Sequence, residues 1–163
     1  MQYMKLNPGQ REEFLETLSG MPLFLREAFA GVSSELMRSP GPGATPSPVE
    51  QVWHLADLER EGFGERIRRL LSEHEPHLPD FNGARLAAER NYPARSLEAG
   101  LAAFTEARRQ NMTALRALDG PSWFLSGTQE GVGRVSLCDI PGFMAQHDSA
   151  DRVEIEAWMS SLG

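Results

Sequence analysis

The sequence predicts an all-α domain, a four-helix bundle with short extra helices in its loops. Four long segments repeat apolar residues with the spacing of amphipathic helices, and clusters of proline and glycine separate them. The length of 163 residues suits one domain, which we place at 1–163. The pattern contains no convincing pair of strands and no internal repeat, so the prediction includes no sheet.

The first helix begins after Asn7-Pro8, where a capping residue precedes a helix-opening proline. Gly20 and Pro22 interrupt its apolar pattern, so we expect a kink or a break into two pieces there. The helix ends near Gly31. The segment 39–48 then holds four prolines and two glycines, which predicts a loop within the domain.

The second helix is predicted to begin at Pro48, with Ser47 as its cap, and to end near Glu73. A longer connection, 76–95, follows it. This connection has the pattern of a short helix at about 84–89, and its length is compatible with a crossover between helices.

The third helix follows Ser96, and the segment 122–135 beyond it is predicted to be irregular. The last helix opens near Ser136, whose spacing to Asp139 is that of a capping box. This helix then continues to about Leu162. Four long helices in a domain of this size predict a bundle.

Composition is typical of a soluble globular protein and disfavours several partners. The net charge of −7 repels phosphate backbones and anionic lipid, so we expect no binding to nucleic acid or membranes. No apolar run approaches the ~20 residues that a membrane-spanning helix needs, and the N-terminus does not have the pattern of a signal segment. The single cysteine, Cys138, cannot form an intrachain disulfide. The expected location is therefore the cytoplasm. Arg66, Arg68 and Arg69 are interpreted as a solvated helix face with pairs such as Glu65–Arg69.

His147 and Asp151 are the most informative residues, because they lie one helical turn apart within an apolar stripe. The apolar members of this stripe are Ile140, Phe143, Met144, Ile155, Trp158 and Leu162. A bare buried carboxylate is too costly, so Asp151 must be paired, protonated, solvated in a cleft or bound to a cation. His54 in the second helix is the candidate for a further ligand, since bundles build metal sites from facing helices. The alternative is a metal-free hydrogen bond between His147 and Asp151.

Three segments carry a resemblance to a known family. Residues 52–59 read Val-Trp-His-Leu-Ala-Asp-Leu-Glu, residues 131–137 read Gly-Val-Gly-Arg-Val-Ser-Leu, and residues 147–155 read His-Asp-Ser-Ala-Asp-Arg-Val-Glu-Ile. In this order they resemble the second-helix signature, the segment before the last helix and the last-helix motif of the DinB-like family. The number of helices and the proline-rich first loop agree with that family as well.

The resemblance implies an up-down-down-up order of helices and a metal held by three histidines. Carried over to this sequence, the ligands are His54, His147 and Asp151, with aspartate in place of the family's third histidine. Two histidines and one carboxylate suit Zn, Ni, Fe or Mn, with positions left open for water or substrate. Glu154 and Asp57 are the candidates for a general base or for supporting the ligands.

The resemblance also implies a reaction on a small-molecule substrate. Some family members transfer a low-molecular-weight thiol and others are regarded as hydrolases; a divalent cation serves both reactions because it lowers the pKa of a bound thiol or water. The alternative, motivated by Asp151, is a non-catalytic bundle that acts as a stress-associated or ligand-binding dimer. The resemblance also favours a homodimer.

Overall fold

The computed structural model describes residues 3–162, which form a four-helix bundle as predicted. The α-helices in this range are α1 (Pro8–Ser19), α2 (Met21–Phe29), α3 (Pro48–Asp57), α4 (Gly64–Ser72), α5 (Gly83–Arg90), α6 (Leu97–Arg116) and α7 (Ile140–Ser160). The four long helices of the bundle are α1–α2, α3–α4, α6 and α7. The short α5 lies in the connection where a short helix was predicted.

The first two long helices each consist of two pieces. The break between α1 and α2 falls at Gly20, as predicted. The second helix is continuous in its path, but Leu58–Phe63 between α3 and α4 is a π-helical segment. Such wide turns are rare in proteins, and many of those that occur lie at functional sites. Asn7 and Ser47 begin α1 and α3 with capping boxes, so the start signals read from the sequence are confirmed.

Contacts between helices confirm the up-down-down-up order. Helices α3–α4 and α6 are parallel, because residue numbers rise together along their contacts, whereas α1–α2 is antiparallel to α6 and parallel to α7. The contacts that establish these directions are Trp53–Ser96 and Glu59–Asn111, Leu18–Arg108 and Glu12–Arg116, and Phe24–Arg152 and Phe29–Trp158. No helix between residues 3 and 162 is long and apolar enough to cross a membrane.

A small three-stranded sheet corrects the prediction that 122–135 is irregular and that no strands pair. Strand β1 (His77–Leu78) pairs parallel to β2 (Ser126–Gln129), which pairs antiparallel to β3 (Gly133–Ser136). These strands are too short to show an alternating pattern in the sequence. Their pairing also depends on a contact between segments about fifty residues apart, so only the folded chain reveals it.

A buried cluster of charged groups joins three of the long helices. Arg108 in α6 donates to both carboxylate oxygens of Asp148 in α7, at 2.8 and 2.9 Å, and to Glu59 at 2.8 Å. Asn111 donates to the other oxygen of Glu59 at 2.8 Å. The apolar stripe had suggested that Asp151 is the buried acid of α7. The buried acid is instead Asp148, the residue that follows His147.

Candidate metal centre

The structure brings His54 and His147 together from different helices. Their ring centroids are 6.2 Å apart, and the His54 ring lies 6.0 Å from that of Phe81, which precedes α5. Both histidines line a cavity of about 430 Å³.

Gly83, the first residue of α5, determines where the His54 ring can lie. A Cβ atom at this position would stand 2.7 Å from Cε1 and 2.9 Å from Nδ1 of His54. Contacts that short do not occur, so any other residue at 83 must displace the ring. The Cε1–Nδ1 edge of the His54 ring therefore packs against the start of α5.

His147 and Asp151 form the hydrogen bond that was expected as the alternative to a metal site, with 2.8 Å between Nδ1 and Oδ2. The His147 side chain is 39% exposed and that of Asp151 is 14% exposed. The pair therefore lies at the wall of a cleft and not in the apolar interior that the stripe indicated. The reason is that Met144, Asp148 and Ile155 form the buried face of α7, which turns the His147–Asp151 edge towards the cavity.

Burial and hydrogen bonding shift the pKa values of the two histidines in opposite directions. Burial lowers the pKa of His54, against a smaller opposite effect of the Asp151 carboxylate. The hydrogen bond to Asp151 raises the pKa of His147, against a smaller effect of burial. His54 is consequently a neutral imidazole at neutral pH, which is the form that binds metals.

Asp57 and Glu154 occupy different surroundings. Asp57 is fully buried, and its carboxylate is engaged by Arg60, Arg90 and the hydroxyl of Tyr92. Asp57 is near enough to raise the pKa of His54 slightly. Glu154 is half-buried one turn after Asp151 and has no hydrogen bond within residues 3–162. The role of either acid as a general base stays a prediction.

Arg66 is a cavity residue that the sequence analysis missed. Arg68 pairs with Glu65 and Arg69 pairs with Glu73, so charged pairs do form on this face, but the expected pair between Glu65 and Arg69 does not. Arg66 is only 8% exposed and lines the cavity, so the interpretation of a solvated face was wrong for this residue. Its position three residues after Phe63 and four before Leu70, both buried, was the available signal.

The three predicted ligands do not form a complete metal site by themselves. Between residues 3 and 162, no three histidine, cysteine, aspartate or glutamate side chains have the arrangement of a metal site. Two of the three predicted ligands, His147 and Asp151, are instead hydrogen-bonded to each other.

Comparisons with known proteins agree with this architecture. YfiT from Bacillus subtilis, described as a probable metal-dependent hydrolase with an unusual four-helix bundle topology, aligns with a TM-score of 0.87 and 16% sequence identity. The alignment covers 97% of this chain and 90% of YfiT, which confirms the fold. No curated protein matches the chain in sequence. A sequence model of the DinB superfamily matches residues 11–150, so the chain belongs to the DinB superfamily, as its three motifs indicated.

Proposed function

We propose that this protein is a divalent-metal-dependent enzyme in which His54, His147 and Asp151 hold the cation. The observation that carries the proposal is the convergence of two imidazoles from α3 and α7 on one cavity, with a carboxylate beside them. YfiT is described as a probable metal-dependent hydrolase, and this description supports the same class of activity for this chain.

The donor set fits a transition metal. Nitrogen and carboxylate donors in a two-to-one ratio suit Zn, Ni, Fe or Mn. His54 is neutral and its ring is held by Gly83. A cation that binds both His147 and Asp151 replaces the hydrogen bond between them, so its binding must offset the loss of that bond.

Hydrolysis is the reaction that we propose first, with a small molecule as substrate. When bound, a divalent cation supplies a nucleophile at neutral pH, because it lowers the pKa of a bound water or thiol. The protein contributes the shape of the cavity, with its aromatic walls, and the ligands that position the ion. Thiol transfer, the other reaction of the resembling family, uses the same site with a low-molecular-weight thiol in place of water.

The hydrogen bond between His147 and Asp151 favours one alternative. At 2.8 Å this bond satisfies both groups without a cation, as expected for a metal-free bundle that acts as a ligand-binding or stress-associated dimer. The two functions differ in one measurable property, which is the affinity of the folded protein for divalent metals.

The decisive experiment measures metal binding by wild type, His54→Gln and His147→Gln. Chelator-treated protein is titrated with Zn, Ni, Mn and Fe(II), and the thermal midpoint is followed. At about 100 times the dissociation constant, specific binding adds roughly 2.7 kcal/mol to the free energy of unfolding. Either glutamine variant should lose this gain, while His74→Gln, which alters an exposed histidine away from the cavity, should keep it.

Elemental analysis after growth with these metals provides the second measurement. Near-stoichiometric metal in wild type and its loss in His147→Gln support the enzyme. A metal-free wild-type protein whose midpoint is insensitive to all four metals would exclude it and leave the dimeric, non-catalytic function. With metal bound, hydrolysis of ester or amide substrates is compared with consumption of thiols to distinguish the two reactions.

A further inference from the structure

The Arg66 side chain lines the cavity beside the two histidines and has no protein partner within residues 3–162. Arg66 is 8% exposed, yet between residues 3 and 162 it forms no hydrogen bond and no ion pair. The Phe63 ring centroid lies 5.9 Å from Cζ, at the outer limit of a cation–π contact. A guanidinium that opens onto a cavity and has no protein acceptor can donate to an anion there.

A second polar side chain in the same cavity is also unsatisfied. Gln129 in β2 is 8% exposed, and within residues 3–162 its Oε1 atom is buried with no hydrogen-bond partner. Gln129 lines the cavity together with Arg66, His54 and His147. The cavity is thus lined by two polar side chains, Arg66 and Gln129, that form no hydrogen bond with the protein within residues 3–162.

The charges near Arg66 do not compensate it. Asp80 lines the cavity too and acts against the effect of burial, which lowers the pKa of Arg66. No oxygen of Asp80 comes within ion-pair distance of the guanidinium, and one carboxylate oxygen of this exposed residue accepts from the backbone of Phe81. The Arg66 guanidinium is therefore not held in an ion pair within residues 3–162 and can donate to an anion in the cavity.

We infer that Arg66 binds the carboxylate of the substrate in the His54–His147 cavity, and that Gln129 bonds a polar group next to it. This inference rests on the proposed function for the identity of the site, but it concerns which molecules enter it. Arg66 would be a substrate-positioning residue that fixes the anionic end of the molecule, while His54 and His147 face the end that reacts.

A carboxylate matches these groups better than a phosphate. The planar guanidinium fork pairs with the two oxygens of a carboxylate. Among the described residues, Arg66 is the one arginine that lines the cavity, and a single guanidinium matches the charge of a carboxylate better than that of a dianion. The walls are aromatic, with Phe63, Phe81 and Phe143, so the carboxylate should be attached to an apolar body that a cavity of about 430 Å³ can enclose.

The test compares benzoate with benzamide, which has the same shape but no charge. Dissociation constants are measured by NMR titration on chelator-treated protein and on protein loaded with Zn. We expect benzoate to bind at least about tenfold more tightly than benzamide, the usual effect of a charged hydrogen bond in a buried site. This preference should be present with and without metal, because Arg66 and not the cation provides it.

Arg66→Met tests the residue, and Arg85→Met is its matched control. Arg85 is exposed, and its substitution changes the net charge equally. Arg66→Met should abolish the preference for benzoate and leave benzamide binding unchanged, whereas Arg85→Met should change neither. Arg66→Lys retains charge without the fork and should lower the preference, which provides a second measurement should the methionine variant not fold.

The outcomes separate this inference from the proposed function. A preference for benzoate that depends on Arg66 in a protein that binds no metal supports the anion site and refutes the metal enzyme. Equal binding of the two probes to wild type would overturn the inference. So would a preference that requires Zn and survives Arg66→Met, because the carboxylate would then bind the cation.

Discussion

Two polar clusters lie on adjacent edges of α7, and they differ in how far the protein satisfies them. Around Asp148, four N–H groups of Arg108 donate to protein oxygens, and only its Nε lacks a partner within residues 3–162. Around His147, Arg66 and Gln129 line the cavity and form no side-chain hydrogen bond within residues 3–162. The first cluster is satisfied by the folded chain itself, whereas we infer that the second binds a molecule that is not part of it.

The largest expected effect is on stability, at the satisfied cluster. Arg108→Met leaves Glu59 and Asp148 buried without their cation, so it should lower the free energy of unfolding by about 3–5 kcal/mol. The control is Arg109→Met at the next position, whose exposed pair with Glu106 should contribute less than about 1 kcal/mol. Urea denaturation measures both. A loss below about 1 kcal/mol for Arg108→Met would show that this cluster does not hold the bundle together.

The next effect concerns metal affinity at the cavity. Asp151→Asn removes the carboxylate and should weaken metal binding by about tenfold to 100-fold. Asp151→His restores the residue that the resembling family uses at this position, so it should keep tight binding. Isothermal titration with Zn measures both variants. Equal weakening in the two would mean that Asp151 acts only by orienting His147 and is not a ligand.

Gly83→Ala should separate the geometry of the site from the stability of the fold. A Cβ atom at 83 must push the His54 ring aside, so metal affinity should fall several-fold, within the range seen when ligand support is disturbed. The free energy of unfolding should change by less than about 1 kcal/mol, because the displaced atoms end a side chain. Gly120→Ala, where a Cβ meets nothing within 4 Å, is the control. Unchanged affinity in Gly83→Ala would show that the ring position is not critical.

The smallest effect is the pH dependence of stability in chelator-treated protein. The pKa of His147 is raised in the folded state from 6.5, so its stabilisation is complete below that pH and is lost as pH rises through the folded pKa. The pKa of His54 is lowered, so folding is less favourable as pH falls below 6.5. The stability differences between wild type and His147→Gln, and between wild type and His54→Gln, should therefore have opposite slopes with pH. Urea denaturation measures both differences. If they changed with pH in the same direction, the opposite pKa shifts of His54 and His147 would be wrong.

Most of the helices could be predicted from the chain because their signals are local. Asn7 and Ser47 cap helices within three residues of themselves, and Gly20 and Pro22 interrupt the first helix by their own backbone chemistry. The sheet could not be predicted, since β1 and β2 meet across a long stretch of sequence. The same limit applied to Arg66, because its burial depends on which neighbours cover that edge of the helix.

The sequence by itself determined the bundle, the family motifs and the pairing of His147 with Asp151, since all of these depend on helical periodicity or on residues a few positions apart. Only the tertiary structure decided that Asp148 and not Asp151 is the buried acid of α7, and that His54, Arg66 and Gln129 share one cavity. The physical reason is that burial and the meeting of side chains from distant segments depend on how the helices pack against one another, and periodicity gives each helix a buried face without giving its partner.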